Sequence, residues 1–124
     1  MSYKLNQNPS IKDVSHILWI GEIISKDAVA RNAVFYGDKA IDRSPCSTGT
    51  SARMVLLEAK GKLATGEPFV HESFISSKFV GVVENKCKGG KFGGIILSIT
   101  GWARQYGYNE VSIDEADSYP LVSR

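Results

Sequence analysis

The chain has 124 residues, 43% of them apolar and 23% charged, with a formal net charge of +2. That size and balance fit one globular domain and exclude a strongly basic protein built for nucleic acid or a membrane surface. No apolar run is long enough to span a bilayer as a helix.

Residues 1–13 are polar, with Asn6, Gln7, Asn8 and Pro9, and read as a lead-in or a cut end. Val14 to Ile20 is rich in β-formers and is expected as a strand, with His16 an ordinary strand histidine. Ala30 to Tyr36 is expected as a second strand, ended by a turn at Gly37-Asp38. Tyr36 by itself reads as core or sheet surface. Lys39 to Ile41 leads into the stretch Asp42-Arg43-Ser44-Pro45-Cys46-Ser47-Thr48-Gly49-Thr50.

A helix is expected from about Thr48 to Lys60, with Ala52, Val55, Leu56 and Ala59 on one face. Met54 and Leu57 add apolar surface elsewhere, and a helix apolar on most sides is normally enclosed by protein. Gly61 suits its C-terminal end. This order puts Cys46 at or just before a helix N-terminus. The first backbone N–H groups there lack intrahelical partners, and the helix dipole adds partial positive charge. Both effects favour negative charge, on sulfur or on a bound carboxylate. The plainer reading is a small buried cysteine in front of a core helix. Asp42 likewise reads either as a turn or cap carboxylate or as a binding group.

Phe69 to Ile75, Phe79 to Glu84, Phe92 to Ile99 and Tyr106 to Ile113 have strand composition. Asn85 to Lys91 reads as a hairpin loop, its lysines solvated and its Cys87 exposed and incidental. Gly101 and Gly107 bracket a bend at Trp102-Ala103-Arg104, and Asp114 to Pro120 is an acidic exit segment. The expected class is α+β, an antiparallel β-sheet wrapped around one central helix. Cys46 and Cys87 stand in dissimilar settings and form no disulfide framework. With no signal peptide in the sequence, the expected compartment is a reducing cytoplasm. His16 and His71 lie far apart, without ligand-like spacing to a cysteine, so no metal is expected.

The stretch Asp42-Arg43-Ser44-Pro45-Cys46, followed by Thr48-Gly49-Thr50-Ser51-Ala52, resembles the second cysteine motif of the proline racemase family, which includes the 4-hydroxyproline 2-epimerases. Arg31-Asn32-Ala33-Val34-Phe35-Tyr36-Gly37 resembles the strand leading into that motif. Ala59 to Leu63, Gly66-Glu67, Glu72-Ser73, Ile99 to Ala103 and Gly107-Tyr108-Asn109 keep the family's order, so the resemblance covers roughly Ile17 to Asp114.

The resemblance implies a diaminopimelate epimerase-like half, a sheet around a helix, from a two-half enzyme that needs no cofactor. Each half would supply one cysteine to opposite faces of the substrate α-carbon. One thiolate would remove the α-proton and the other thiol would return one. Carried over by position, Cys46 is the catalytic acid/base, Asp42 holds the substrate amine, and Ser47 and Thr48 cradle the carboxylate. Tyr36 closes over the substrate ring. Trp102-Ala103-Arg104 tilts the expected substrate toward hydroxyproline.

Ser47 stands where the family usually has glycine, and Ser76 where it commonly does. A serine after the cysteine is expected to crowd the pocket or distort the turn. The family's first motif, a Cys-Gly-His sequence, does not occur in these 124 residues. The expected partners are therefore an imino acid and either an N-terminal half or a second copy. The three readings left open are an inactive fragment, one part of a split or self-completing enzyme, and a binding or redox protein without turnover.

Overall fold

The structure, a computed structural model, describes residues 16–114 and 116. The lead-in at 1–13, the start of the first expected strand and most of the acidic exit segment lie outside those residues.

Seven elements follow in order. They are β1 (His16–Gly21), β2 (Ala30–Tyr36), β3 (Ala40–Asp42), α1 (Ser47–Ala59), β4 (Pro68–Ser73), β5 (Lys78–Gly89) and β6 (Phe92–Thr100). The strands form one sheet in the order β1-β2-β4-β5-β6, with β3 also on β2. The sheet is mixed rather than antiparallel: β2 and β4 run parallel, pairing Ala30 with His71 and Asn32 with Ser73. The connection between them contains α1, and such a crossover returns the chain to the end from which β2 started. The other pairings are antiparallel. β3 takes the far end of the same edge of β2, with Val34 opposite Asp42 and Tyr36 opposite Ala40. The cysteine loop therefore leaves the sheet directly beside β2.

The helix packs on β5 and β6. Met54, fully buried, joins Ala30, Leu63, Phe69 and Val83 in the core, with Leu57, Ile95 and Leu97 packed against them. Gly81 makes room for this approach, since a Cβ there would collide with the Met54 sulfur. The face with Ala52, Val55, Leu56 and Ala59 is exposed, Leu56 by 52%, and Ala52 and Leu56 border a cavity instead of packed side chains. Helical spacing located an apolar stripe, but not the one that packs into the core. The stripe through Thr50 and Met54 takes that contact.

Two β-strand expectations also change. The β5–β6 hairpin is longer than the sequence suggests, because Asn85 to Lys88 stay in the ladder and only Gly90 and Lys91 turn. Gly90 supplies φ 62° there. Residues 106–113 form no strand. Tyr108 is 91% exposed, and strand composition makes no strand without a neighbour to complete its hydrogen bonds.

Ser76 has φ 63° in the tight turn between β4 and β5, a conformation that favours glycine. Its side chain also favours the charged form of the nearby Glu72 carboxylate. Ser76→Ala keeps the strained backbone and loses that influence, so it should be the less stable of the two variants. Ser76→Gly relieves the backbone by about 1 kcal/mol and should be the more stable. Urea denaturation midpoints of the two variants check the contrast.

Candidate active site around Cys46

Cys46 caps α1. Its sulfur accepts a hydrogen bond from Gly49 N–H at 3.4 Å, and its carbonyl accepts one from Thr50 N–H at 2.9 Å. The cap residue has φ 63°, ψ 119°. A non-glycine residue in this region is strained by about 1–3 kcal/mol and persists only where its surroundings hold it there. Upstream, Ser44 N–H donates to Asp42 Oδ1 at 2.8 Å, and Cys46 N–H donates to Ser44 Oγ at 3.0 Å. The Asp42-Arg43-Ser44 order is thus a turn closed by side-chain acceptors.

The cysteine opens on a cavity of about 480 Å³ lined by Thr48, Gly49, Ala52, Arg53 and Leu56 of α1 and by His16, Leu18, Ile20 and Val34 of the sheet. The wall is apolar apart from the helix N-terminus, Arg53 and His16. A Cβ at Gly49 would lie 2.6 Å from Leu18 Cδ1, so Leu18 would have to shift to admit one. Among the described residues, no three His, Cys, Asp or Glu side chains gather as metal ligands, and no helix is long and apolar enough to cross a membrane.

The expected site residues fall into two neighbouring places. Cys46 and Thr48 share the cavity just described. Tyr36 and Asp42 line a second one of about 430 Å³, with Arg43, Ser44, Trp102, Arg104 and Tyr106. The Tyr36 ring stacks on His16 at 5.8 Å, so this pair stands between the two spaces. Arg43 donates to Tyr106 Oη at 2.7 Å and lies over its ring, which draws the segment after β6 against the cysteine loop. Ser47 lines neither cavity. It is exposed, has helical backbone as the first residue of α1, and its carbonyl accepts from Ser51 Oγ. The strained position that would suit glycine is Cys46 itself.

Asn32, Thr50 and His71 are buried polar residues that the sequence alone does not mark as site residues. Asn32 Nδ2 donates to the Pro45 carbonyl at 2.7 Å, and Thr50 Oγ1 donates to the same oxygen at 3.3 Å. Thr50 Oγ1 also lies 2.9 Å from His71 Nδ1, and Arg53 Nη1 lies 3.5 Å from His71 Nε2. Burial, reinforced by the Arg53 charge, lowers the His71 pKa to about 4. No one-dimensional spacing marks this group, because β2, α1 and β4 each contribute one member.

Glu72 is also fully buried, and its carboxylate accepts from Ile24 N–H, Ser25 N–H and Ser25 Oγ at 2.8–3.2 Å. Desolvation works against its charge, but these bonds and that from Ser76 outweigh it and hold the pKa near about 2.

The proline racemase family model matches residues 1–121. The chain is 56% identical over 113 residues to the 4-hydroxyproline 2-epimerase of Spirosoma linguale, covering 91% of this chain and 34% of that protein. It is 57% identical over 111 residues to the 4-hydroxyproline epimerase of Brucella ovis, covering 90% and 33%. Among solved structures it is similar to a hydroxyproline epimerase from Agrobacterium vitis with bound trans-4-hydroxy-L-proline. There the TM-score is 0.75 at 28% identity, over 97% of this chain and 34% of that one. The chain spans about a third of the length of the relatives it matches. With the cysteine motif, the fold around it and the match along nearly all of its length in agreement, the chain belongs to the proline racemase family.

Proposed function

We propose that this chain is the portion of a cofactor-independent 4-hydroxyproline or proline epimerase that carries one of two acid/base cysteines. In this reading it is one diaminopimelate epimerase-like half, working in the cytoplasm on a small imino acid. The observation that carries it is Cys46 held at positive φ on the N-terminus of α1, with its sulfur beside an apolar cavity.

An amino-acid α-proton is weakly acidic, so removing it requires stabilisation of the charge that spreads onto the carboxylate. The amides of Ser47 and Thr48, in the first turn of α1, have no intrahelical acceptor by position and would hold that carboxylate. Cys46 would take or return the proton on one face. Asp42 and Tyr36 line the neighbouring cavity, and they would hold the amine and close over the ring of a substrate that spans both spaces. The names of the relatives, and the trans-4-hydroxy-L-proline bound in the Agrobacterium vitis protein, favour hydroxyproline over proline. Inversion needs a second acid/base group on the opposite face, which a further half would provide.

The test follows the α-proton of trans-4-hydroxy-L-proline by NMR in D₂O. The isolated chain should leave the signal intact. Adding the part of the Spirosoma linguale relative that this chain does not cover should bring exchange with inversion, and Cys46→Ser should abolish it. Inversion by the chain alone would overturn its incompleteness. A mixture that associates but leaves the signal unchanged would overturn the catalytic role and favour a binding remnant.

A further inference from the structure

The backbone angles of Cys46 are the relative orientation of the two peptide planes that flank it, and both planes are pinned. The plane before it is held at its carbonyl by Asn32 Nδ2 (2.7 Å) and Thr50 Oγ1 (3.3 Å), and at its N–H by Ser44 Oγ (3.0 Å). The plane after it is held at the Cys46 carbonyl by Thr50 N–H (2.9 Å). Thr50 therefore grips both planes, one with its hydroxyl and one with its amide.

The hydroxyl is itself aimed. It has one proton, which it gives to the Pro45 carbonyl, so towards His71 it can only accept. His71 must then carry its proton on Nδ1, which leaves Nε2 to accept from Arg53 Nη1 at 3.5 Å. Every polar contact in the chain Arg53–His71–Thr50–Pro45 has a donor and an acceptor in this one arrangement. Thr50 and His71 have no exposed surface, Asn32 has 1%, and Pro45 is fully buried. From His71 through Thr50 to Pro45 these matched contacts are buried, and such a run of hydrogen bonds is stiff.

We propose that His71, Thr50 and Asn32 are positioning residues for Cys46: acting through the Pro45 carbonyl, they hold the cysteine in its positive-φ conformation and so keep its sulfur on the Gly49 amide at the start of α1. None of the three lines the cavity that Cys46 opens on. Their action on the sulfur is through the backbone. The proposal deepens the acid/base reading of Cys46 and rests on it for its purpose, but its test reads the cysteine directly and needs no turnover.

The chain contains its own reference thiol, since Cys87 is exposed on the β5–β6 hairpin, far along the chain from the network. Iodoacetamide labelling of the full chain, followed by peptide mass spectrometry, gives the ratio of the Cys46 rate to the Cys87 rate. Thr50→Val keeps the shape and removes the hydroxyl, and Thr50→Ser keeps the hydroxyl. Asn32→Leu removes the other donor and also the buried Asn32 Oδ1, which has no hydrogen-bond partner, so it leaves no new orphan on that side chain.

A released cysteine gives up both the strain and the Gly49 hydrogen bond. Losing a bond worth about 1.4 kcal/mol corresponds to about tenfold in the ratio for Thr50→Val, with a smaller drop for Asn32→Leu. Thr50→Ser should restore the ratio to within about twofold, a rescue that overall loss of stability does not predict. An unchanged ratio in folded Thr50→Val or Asn32→Leu overturns the proposal. The unmodified chain provides a test that no folding defect can obscure. Its Cys46 and Thr50 amides should exchange with D₂O more slowly than those of Ser47 and Thr48, and equal rates overturn the proposal. Loss of the epimerase reading through the α-proton experiment would leave these measurements standing, and the reverse also holds.

Discussion

Acidification from pH 6.5 to pH 4 should remove about 3 kcal/mol of stability through one side chain, His71. Burial first, and then the neighbouring Arg53 charge, lower its pKa in the fold from 6.5 to about 4. Above pH 6.5 the ring is neutral in both folded and unfolded chains and contributes no pH dependence. Below 6.5 the unfolded chain binds a proton that the folded chain refuses, so stability falls by about 1.4 kcal/mol per pH unit until the folded state titrates near 4. The loss is the larger for where His71 sits. Its protonated Nε2 could no longer accept from Arg53 and would place two positive charges side by side.

Glu72 adds a second, lower window of the same sign. With its pKa held near 2 in the fold against 4.5 ordinarily, its contribution is present above pH 4.5 and is lost as the pH falls toward 2. Urea denaturation as a function of pH separates the two. His71→Asn should flatten the upper window and leave the lower one, and an upper window that survives the substitution would place its cause elsewhere.

The second large effect is expected at Cys46. Pyrrole-2-carboxylate has a planar five-membered ring with the carboxylate on the position next to nitrogen. It shares that flatness with a proline from which the α-proton has been removed. Seated with its carboxylate on the Ser47 and Thr48 amides, it would cover the Cys46 sulfur and leave Cys87 open. The cavity is apolar enough to accept the ring and has its positive partial charge at the helix start. Arg53 adds full positive charge to the same wall.

How much of this could be read from the sequence depends on whether the information is local. β2 matched its expected limits, because β-formers in Ala30 to Tyr36 end at Gly37, which takes φ 59° in the turn. The helix came within a residue at each end, since Cys46 and Gly61 mark its boundaries. The cysteine at the helix start was legible for the same reason. Non-local facts were not. The apolar stripe Ala52, Val55, Leu56, Ala59 gives no sign that another stripe packs into the core. The parallel pairing of β2 with β4 follows from the crossover through α1, not from either strand. The division of the expected site between two cavities follows from β3 sharing the edge of β2, which carries Asp42 away from the cysteine cavity. His71, which in the sequence is only one of two distant histidines without ligand-like spacing, meets Thr50 on a different element.

If Cys46 and the start of α1 form half of an imino-acid site, a ligand seated there shields the cysteine. The measurement that tests it most directly is alkylation of the full chain by iodoacetamide, with and without saturating pyrrole-2-carboxylate, read separately at the two cysteines. The ligand should slow labelling of Cys46 by about tenfold or more and leave Cys87 unchanged. Equal labelling of Cys46 in the presence and absence of the ligand, in a folded chain, would contradict it.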